Sequence, residues 1–538
     1  MGLRTELLVG VGVALVLPAC ASGGGEPTSA APDVLVTDDA TVSRTHEASF
    51  LLVDRDDPDT VYLSESELQS GDCRFYVSTD QGRSWAAEET TVDSPVETEK
   101  PDNAPPSPEL PPATDCTLGS GSQNIRTELK QAPDGTLYYL FSANNVDPTV
   151  RSRSVLLGRS SDGGRSWETS IVDDGTQSAP TEVEVNFQAH MAIDPDNPEL
   201  VYVTWRRSQG GEMPRPPTRP FMAVSEDGGL TFGQPTEMLA VNPGFDGPRP
   251  VVVDDQLYAF YRESAPQTED DEPPEDTKLF VTRSSDRGET WEEPTLIASA
   301  LDASEPIPLY DRDEGRFHVV YHDNRNGDLD VFYTSSADGS EWSEAVRLND
   351  DLLENNIGQF YPQISQSPSG RLDVAWYDFR DDLSPPPGGD FRSHGDDVVV
   401  DPGEPLDLSS NIGSQQSVYY ASSDDGGANW SENVKVNDVR IDRTIGTWNN
   451  DYFVVVPVSI ASWDDRALVS WSDTQNGTSL SGTQDIYTGA ITVADDDGGG
   501  SAVVQVLAVL AAALAGAGLA LLGVVAVMRR SRRQPDSA

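Results

Sequence analysis

Seven short stretches of this chain share one pattern of apolar and polar positions: 61–66 (VYLSES), 137–142 (LYYLFS), 201–207 (VYVTWRR), 257–263 (LYAFYRE), 317–323 (FHVVYHD), 372–378 (LDVAWYD) and 467–473 (ALVSWSD). Each is a run of β-branched and aromatic residues that ends on polar or charged ones, with turn residues on either side, which predicts antiparallel strands. The surrounding order also recurs: a strand, a turn, the run itself, a variable loop, a third strand, a tight turn and a fourth strand. The unit from Phe317 shows it compactly as FHVVYHDNR, then LDVFYTSSADG, then WSEAVRL. No amphipathic helix of convincing length lies between residues 33 and 494, so the expectation is all-β.

The tight turn is itself a repeat, S-x-D-x-G-x-x-W. It begins at Ser78, Ser160, Ser225, Ser284, Ser336 (one residue short) and Ser423, and places an aspartate at Asp80, Asp162, Asp227, Asp286, Asp338 and Asp425. The aspartate can accept backbone N–H bonds within the turn, the glycine permits φ > 0, and the aromatic opens the next strand. A motif repeating at irregular spacing marks an array of similar units with variable loops. This motif resembles the Asp-box, or bacterial neuraminidase repeat, and the chain resembles the sialidase-like β-propellers. The resemblance implies that the boxes sit on the rim, away from a ligand face.

Seven second-strand runs predict seven blades, with six, the number in the ordinary sialidase propeller, as the alternative. The last unit has a third strand at Asp485–Val493 but no turn motif and no fourth strand of its own. Asp33–Val36 (DVLV) is expected to supply that strand and close the ring, removing two exposed sheet edges. Trp85, Trp167, Trp291, Trp342 and Trp430 recur at one position of the unit and are expected to pack between blades.

Composition adds an address. The chain of 538 residues carries 90 Asp+Glu against 36 Lys+Arg, a formal charge of −54. Such a field repels nucleic acid, and no nucleic-acid partner is expected. The surplus acid fits a high-salt habitat or an ordinary secreted protein, and makes calcium a candidate ligand. Residues 1–20 read as an export signal, with Leu17-Pro18-Ala19-Cys20 as a lipobox that lipidates Cys20; an Ala19-Cys20-Ala21 site for ordinary signal peptidase, which discards Cys20, is the alternative. Residues 21–32 form a flexible tether and 33–494 the propeller. An acidic glycine-rich linker, 495–501, leads to 502–528, where Gln505 is the only polar side chain. That length spans a bilayer, and Arg529, Arg530, Arg532 and Arg533 place the tail at 529–538 in the cytoplasm. The propeller is thus expected outside the cell, anchored in the membrane. Of three cysteines, Cys73 and Cys116 remain as a disulfide pair in an oxidising compartment.

Candidate chemistry gathers where the second strands end. Trp205-Arg206-Arg207, Tyr261-Arg262-Glu263, Tyr321 to Arg325, Trp376 to Arg380 and Trp471-Ser472-Asp473 are equivalent segments leading to one face. Arginine forks suit carboxylates and phosphates. Asp323 with Arg325, and Asp378 with Arg380, either face a ligand or pair with each other, since residues two apart on a strand point the same way. Arg206, Arg262 and Glu263 break the pattern and stand as site candidates. Trp448-Asn449-Asn450-Asp451 has the composition of a sugar site, or of an axis-lining strand start. The loop 381–416, with His394, is a lid, a calcium loop or a plain insertion. A sialidase needs three arginines, a Tyr–Glu nucleophile pair and an acid, the tyrosine being an exception among glycosidases. The family's Arg-Ile-Pro signal is missing: the first blade reads Thr45-His46-Glu47-Ala48-Ser49-Phe50. Three functions follow: a surface propeller that binds a carbohydrate or other polymer, a diverged sialidase-like hydrolase with Asp323, Asp378 and Glu263 as acids, or an assembly scaffold.

Overall fold

The computed structural model describes residues 27–493 apart from 30–31, 38–44, 68–71, 86–89, 92–126, 145–152, 175–183, 210–217, 244–245, 264–276, 356, 383–414, 444, 446–456, 479–480 and 482. The two proposed anchors, Cys20, Cys116, Trp448 and Asp451 lie outside the described residues. Cys73, fully buried, is disulfide-bonded.

The described strands form seven antiparallel blades around an axis. The innermost strands are His46–Val53, Glu128–Gln131, Glu184–Ile193, Arg249–Val253, Ile307–Asp311, Gln359–Gln366 and Ser459–Ser462, for blades 1 to 7 in order. Blades 2 and 3 register as one eight-stranded sheet because Val185 makes a single parallel contact with Arg153. The second strands match the seven apolar runs closely: Val61–Glu67, Leu137–Asn144, Val201–Gln209, Gln256–Glu263, Arg316–Asp323, Leu372–Asp378 and Arg466–Asp473. They sit centrally in their blades with both faces covered. Trp205, Tyr321, Trp376 and Trp471 there are 0% exposed.

Blade 7 is closed from the N-terminus. Val34–Leu35 pairs with Asp485–Thr492, as the missing-strand argument expects. The clasp starts earlier than that argument placed it, because Thr28 and Ser29 pair with Thr492 and Ile491. Asp33 and Asp438 then lock the seam to blade 6, each backbone N–H donating to the other's carboxylate, at 3.3 and 2.8 Å.

Every third strand in blades 1 to 6 ends on the serine of the tight turn. In blade 2, Ser160 Oγ donates to Asp162 at 2.8 Å and accepts the Gly164 N–H at 2.9 Å. Asp162 also accepts the backbone and hydroxyl of Ser166. Blades 1, 3, 4 and 6 repeat these bonds, and blade 5 shortens them by a residue. The turns are also joints between blades. Gly164, at φ +84, lies so close that a Cβ there would stand 2.1 Å from the Phe75 ring of blade 1. The tryptophans that follow fill the same seams: Trp167 meets Phe75 edge-on at 5.1 Å, and Trp430 meets Tyr333 of blade 5 at 5.1 Å.

Candidate functional site

The second-to-third strand loops and the links between blades share one face, opposite the tight turns. Toward that face three innermost strands are interrupted by bulges, between Glu47 and Phe50, Phe187 and His190, and Phe360 and Gln363. Each bulge holds a non-glycine residue in left-handed backbone: Ala48 (φ 58), Gln188 (φ 45) and Tyr361 (φ 55). Such residues cost on the order of 1 kcal/mol or more apiece, and bulges serve to re-aim side chains. At the level of these bulges six innermost strands or their leads converge on an axial pocket of about 40 Å³. Ser49, Thr127, Glu128, His190, Arg249, Gln363 and Ser459 give it a polar lining beside Ala48, Phe50, Ala189, Pro457 and Val458.

A chain of charges crosses three blades at this pocket. His190 Nδ1 lies 3.1 Å from Glu128, and its Nε2 lies 2.7 Å from Asp246. Arg249 donates to the other Asp246 oxygen at 3.0 Å, and Lys130 reaches Glu128 at 3.2 Å. Burial pushes the Glu128 carboxyl up, but Lys130 and His190 outweigh it and hold it down at about 2. The link carrying Asp246 depends on Gly247, where a Cβ would meet the Gln188 carbonyl at 2.5 Å.

Two further polar clusters border this face. In blade 1, His46 Nδ1 sits 3.1 Å from Glu65, both fully buried, and the Tyr76 hydroxyl donates to Glu65 at 3.3 Å. Between blades 4 and 6, Arg262 lies 3.7 Å from Glu305. His322 accepts the Tyr361 N–H at 3.2 Å, and burial together with Arg262 pulls its imidazole down to about 3.

The residues singled out from sequence do not converge on one centre. Asp323 is 0% exposed, and Arg325 grips both its oxygens while donating to the Tyr321 hydroxyl at 2.9 Å. Asp378 is likewise held by Arg380 at 2.9 Å and accepts the Trp376 indole N–H at 3.1 Å. Arg380 goes on to Asp350 and to Asn433, at 2.5 and 2.9 Å. This is the mutual pairing that the two-residue spacing permits. Arg206 is buried opposite Phe187 and Pro220 in its sheet. Glu263 ends its strand opposite Lys278. Among the described residues, no group of three or more His, Cys, Asp or Glu side chains is placed to hold a metal ion.

Sequence reasoning passed over Glu128, His190, Asp246 and Arg249. The available signal was a charged residue inside an innermost strand, His190 within NFQAHMAI. The bulge hides it, because one extra residue shifts the period-two pattern and reverses the apparent facing.

Fold and pocket together define an all-β, seven-bladed propeller with a charged axial pocket. No family model matches the chain, and no curated protein matches it. Among solved structures it is similar to a protein of unknown function from Dyadobacter fermentans, at 14% identity over 66% of this chain and 95% of that one, with a TM-score of 0.42. It is similar to the GH93 α-L-arabinofuranosidase of Fusarium graminearum in complex with arabinobiose, at 12% identity over 65% and 93%, TM-score 0.41. A mutant of Trypanosoma rangeli sialidase displaying trans-sialidase activity matches at 13% identity over 72% and 56%, TM-score 0.36. At these identities the likeness concerns the fold alone.

Proposed function

We propose that this chain is a membrane-anchored Asp-box propeller that binds an extracellular carbohydrate polymer across the mouth of its axial pocket without cutting it. The observation that carries the reading is the pocket itself. Six blades contribute to it, and the three strained bulges at Ala48, Gln188 and Tyr361 stand at its level. Strain of this kind persists where the surroundings enforce it and clusters at ligand sites. The Gln363 amide and the Arg249 guanidinium beside apolar walls are groups that suit the hydroxyls of a sugar. The repeated Ser–Asp–Gly bonding of the tight turns supports the Asp-box assignment. The apolar stretch 502–528 and the arginines after it support the anchor.

Binding is favoured over hydrolysis by the two acids at the pocket, Glu128 and Asp246. A general acid must carry a proton near working pH. Glu128, at about 2, does not. Asp246 is already committed to His190 and Arg249, while Asp323 and Asp378 are closed off by their arginines. The test is a glycan array probed with the purified full-length chain, followed by an assay for released sugar on each glycan that binds. Retention without release is the expected result. Release from any bound glycan would make the chain a hydrolase, and retention of none would leave an assembly scaffold.

A further inference from the structure

We infer that the axial pocket selects a neutral, polyhydroxylated sugar and discriminates against anionic ones; the inference rests on the glycan-binding reading above. Recognition of a sugar carboxylate or sulfate requires a cation with an open pair of donors. The cations around this pocket are already answered. Arg249 is engaged by Asp246, Lys130 by Glu128, and His190 by Glu128 and Asp246 together. On the neighbouring cluster Arg262 faces Glu305. An anionic group entering here would meet the Glu128 carboxylate in the lining, with Asp246 behind His190 and Arg249, within a protein of formal charge −54.

The groups left over suit hydroxyls. Arg249 Nε is buried without a hydrogen-bond partner among the described residues, a single N–H donor. Gln188 is 2% exposed, and both its amide nitrogen and its amide oxygen are buried without partners among the described residues. It holds the left-handed bulge position immediately before Ala189 and two residues before His190, both of which line the pocket. A buried amide left unpaired costs about 1–3 kcal/mol, and left-handed backbone adds to that. A sugar hydroxyl both donates and accepts, so on this inference it answers the lone N–H in the lining and, with Gln188 turned toward Ala189 and His190, the amide beside it, without bringing a charge. A carboxylate accepts only, and leaves the amide oxygen unanswered.

The experiment is equilibrium binding of the full-length chain to two sets of oligosaccharides of equal length. One set is neutral (arabino-, xylo-, manno- and gluco-oligosaccharides), the other anionic (sialyl- and glucuronyl-oligosaccharides). Both are measured at about 0.1 M and about 1 M NaCl, where screening lengths differ about threefold. The best neutral sugar is expected to bind at least about tenfold more tightly than any anionic one, with a Kd that changes less than about twofold between the salts. Gln188→Leu should weaken that sugar about tenfold. Arg249→Lys, which keeps the charge and removes Nε, should weaken it as well, each with a melting curve to verify folding. An anionic sugar that binds best, with a Kd that rises in salt, overturns the inference and leaves the glycan-binding reading standing. Binding of neither set overturns both.

Discussion

The tight turns are expected to hold the ring together through one glycine each, and Gly427 measures how strongly. It sits at φ +87, where an L-residue costs about 1–2 kcal/mol. A Cβ there would also fall 2.2–2.3 Å from the ring and hydroxyl of Tyr333 in blade 5. Tyr333 is 2% exposed, with its hydroxyl donating to the Gly426 carbonyl at 2.9 Å, so the ring has little room to yield. Overpacking of this kind costs about 1–3 kcal/mol, and Gly427→Ala should therefore destabilise by about 3–4 kcal/mol. Gly426→Ala is the control. Its φ is +69, but the nearest atom to a Cβ is the mobile end of Glu314, 3.3 Å away, so the backbone cost of about 1–2 kcal/mol stands alone. Chemical denaturation of both variants gives the two figures. Adding Tyr333→Leu to Gly427→Ala should recover part of the loss, a coupling that a double-mutant cycle isolates. Equal destabilisation by the two alanines, with no coupling to position 333, would refute the claim that the turn is a joint between blades.

Asp378→Asn should lower the melting temperature by several degrees. Its carboxylate is 0% exposed, and breaking a buried pair from one side costs about 3–5 kcal/mol; thermal melting that matches wild type would show that Asp378 and Arg380 do not depend on each other. The N-terminal seam should loosen as pH rises. Burial, then repulsion from Asp438 and Asp473, pushes Asp33 up to about 7, and burial pushes Asp473 up to about 6. Both groups bind their proton more tightly folded than unfolded, so their contribution is fully present below about pH 4 and fades as pH passes 6 and then 7. Asp33→Asn should flatten melting temperature against pH between 5 and 8, by about 1 kcal/mol after allowing for partial exposure; an unaltered slope would remove Asp33 as its source.

The blades were legible because the parts that define them are local. Second strands such as Leu372–Asp378 are covered on both faces and carry no bulge, so their apolar runs read without a break. The tight turns need serine, aspartate and glycine at fixed offsets within a few residues, and the hydrogen bonds of Ser160 and Asp162 explain each of them. The pairing of Asp323 with Arg325 was legible as one of two alternatives for the same reason. The axial pocket was not. Glu128 and His190 are 62 residues apart, and His190 and Asp246 another 56, so nothing short of the closed ring brings them together. At Gln188 and Ala48 the bulge also reverses the facing that alternation predicts. The arginines at the ends of the second strands drew attention instead, and in the structure Arg325 serves the packing of its own blade while Arg380 also ties blade 6 to the link from blade 5 through Asp350.

The claim that the axial pocket is the ligand site is tested most directly by filling it. Gln363 lines the pocket, and among the described residues the hydrogen bond its amide makes is the local one to the Pro362 carbonyl at 2.8 Å, so Gln363→Trp blocks the space without breaking a link to another blade. Isothermal titration of the best-bound oligosaccharide into wild type and Gln363→Trp should show affinity falling by at least about tenfold, equivalent to about 1.4 kcal/mol, in a variant whose melting curve shows it folded at the assay temperature. Undiminished binding by the folded variant would contradict the account and place the ligand elsewhere on the propeller.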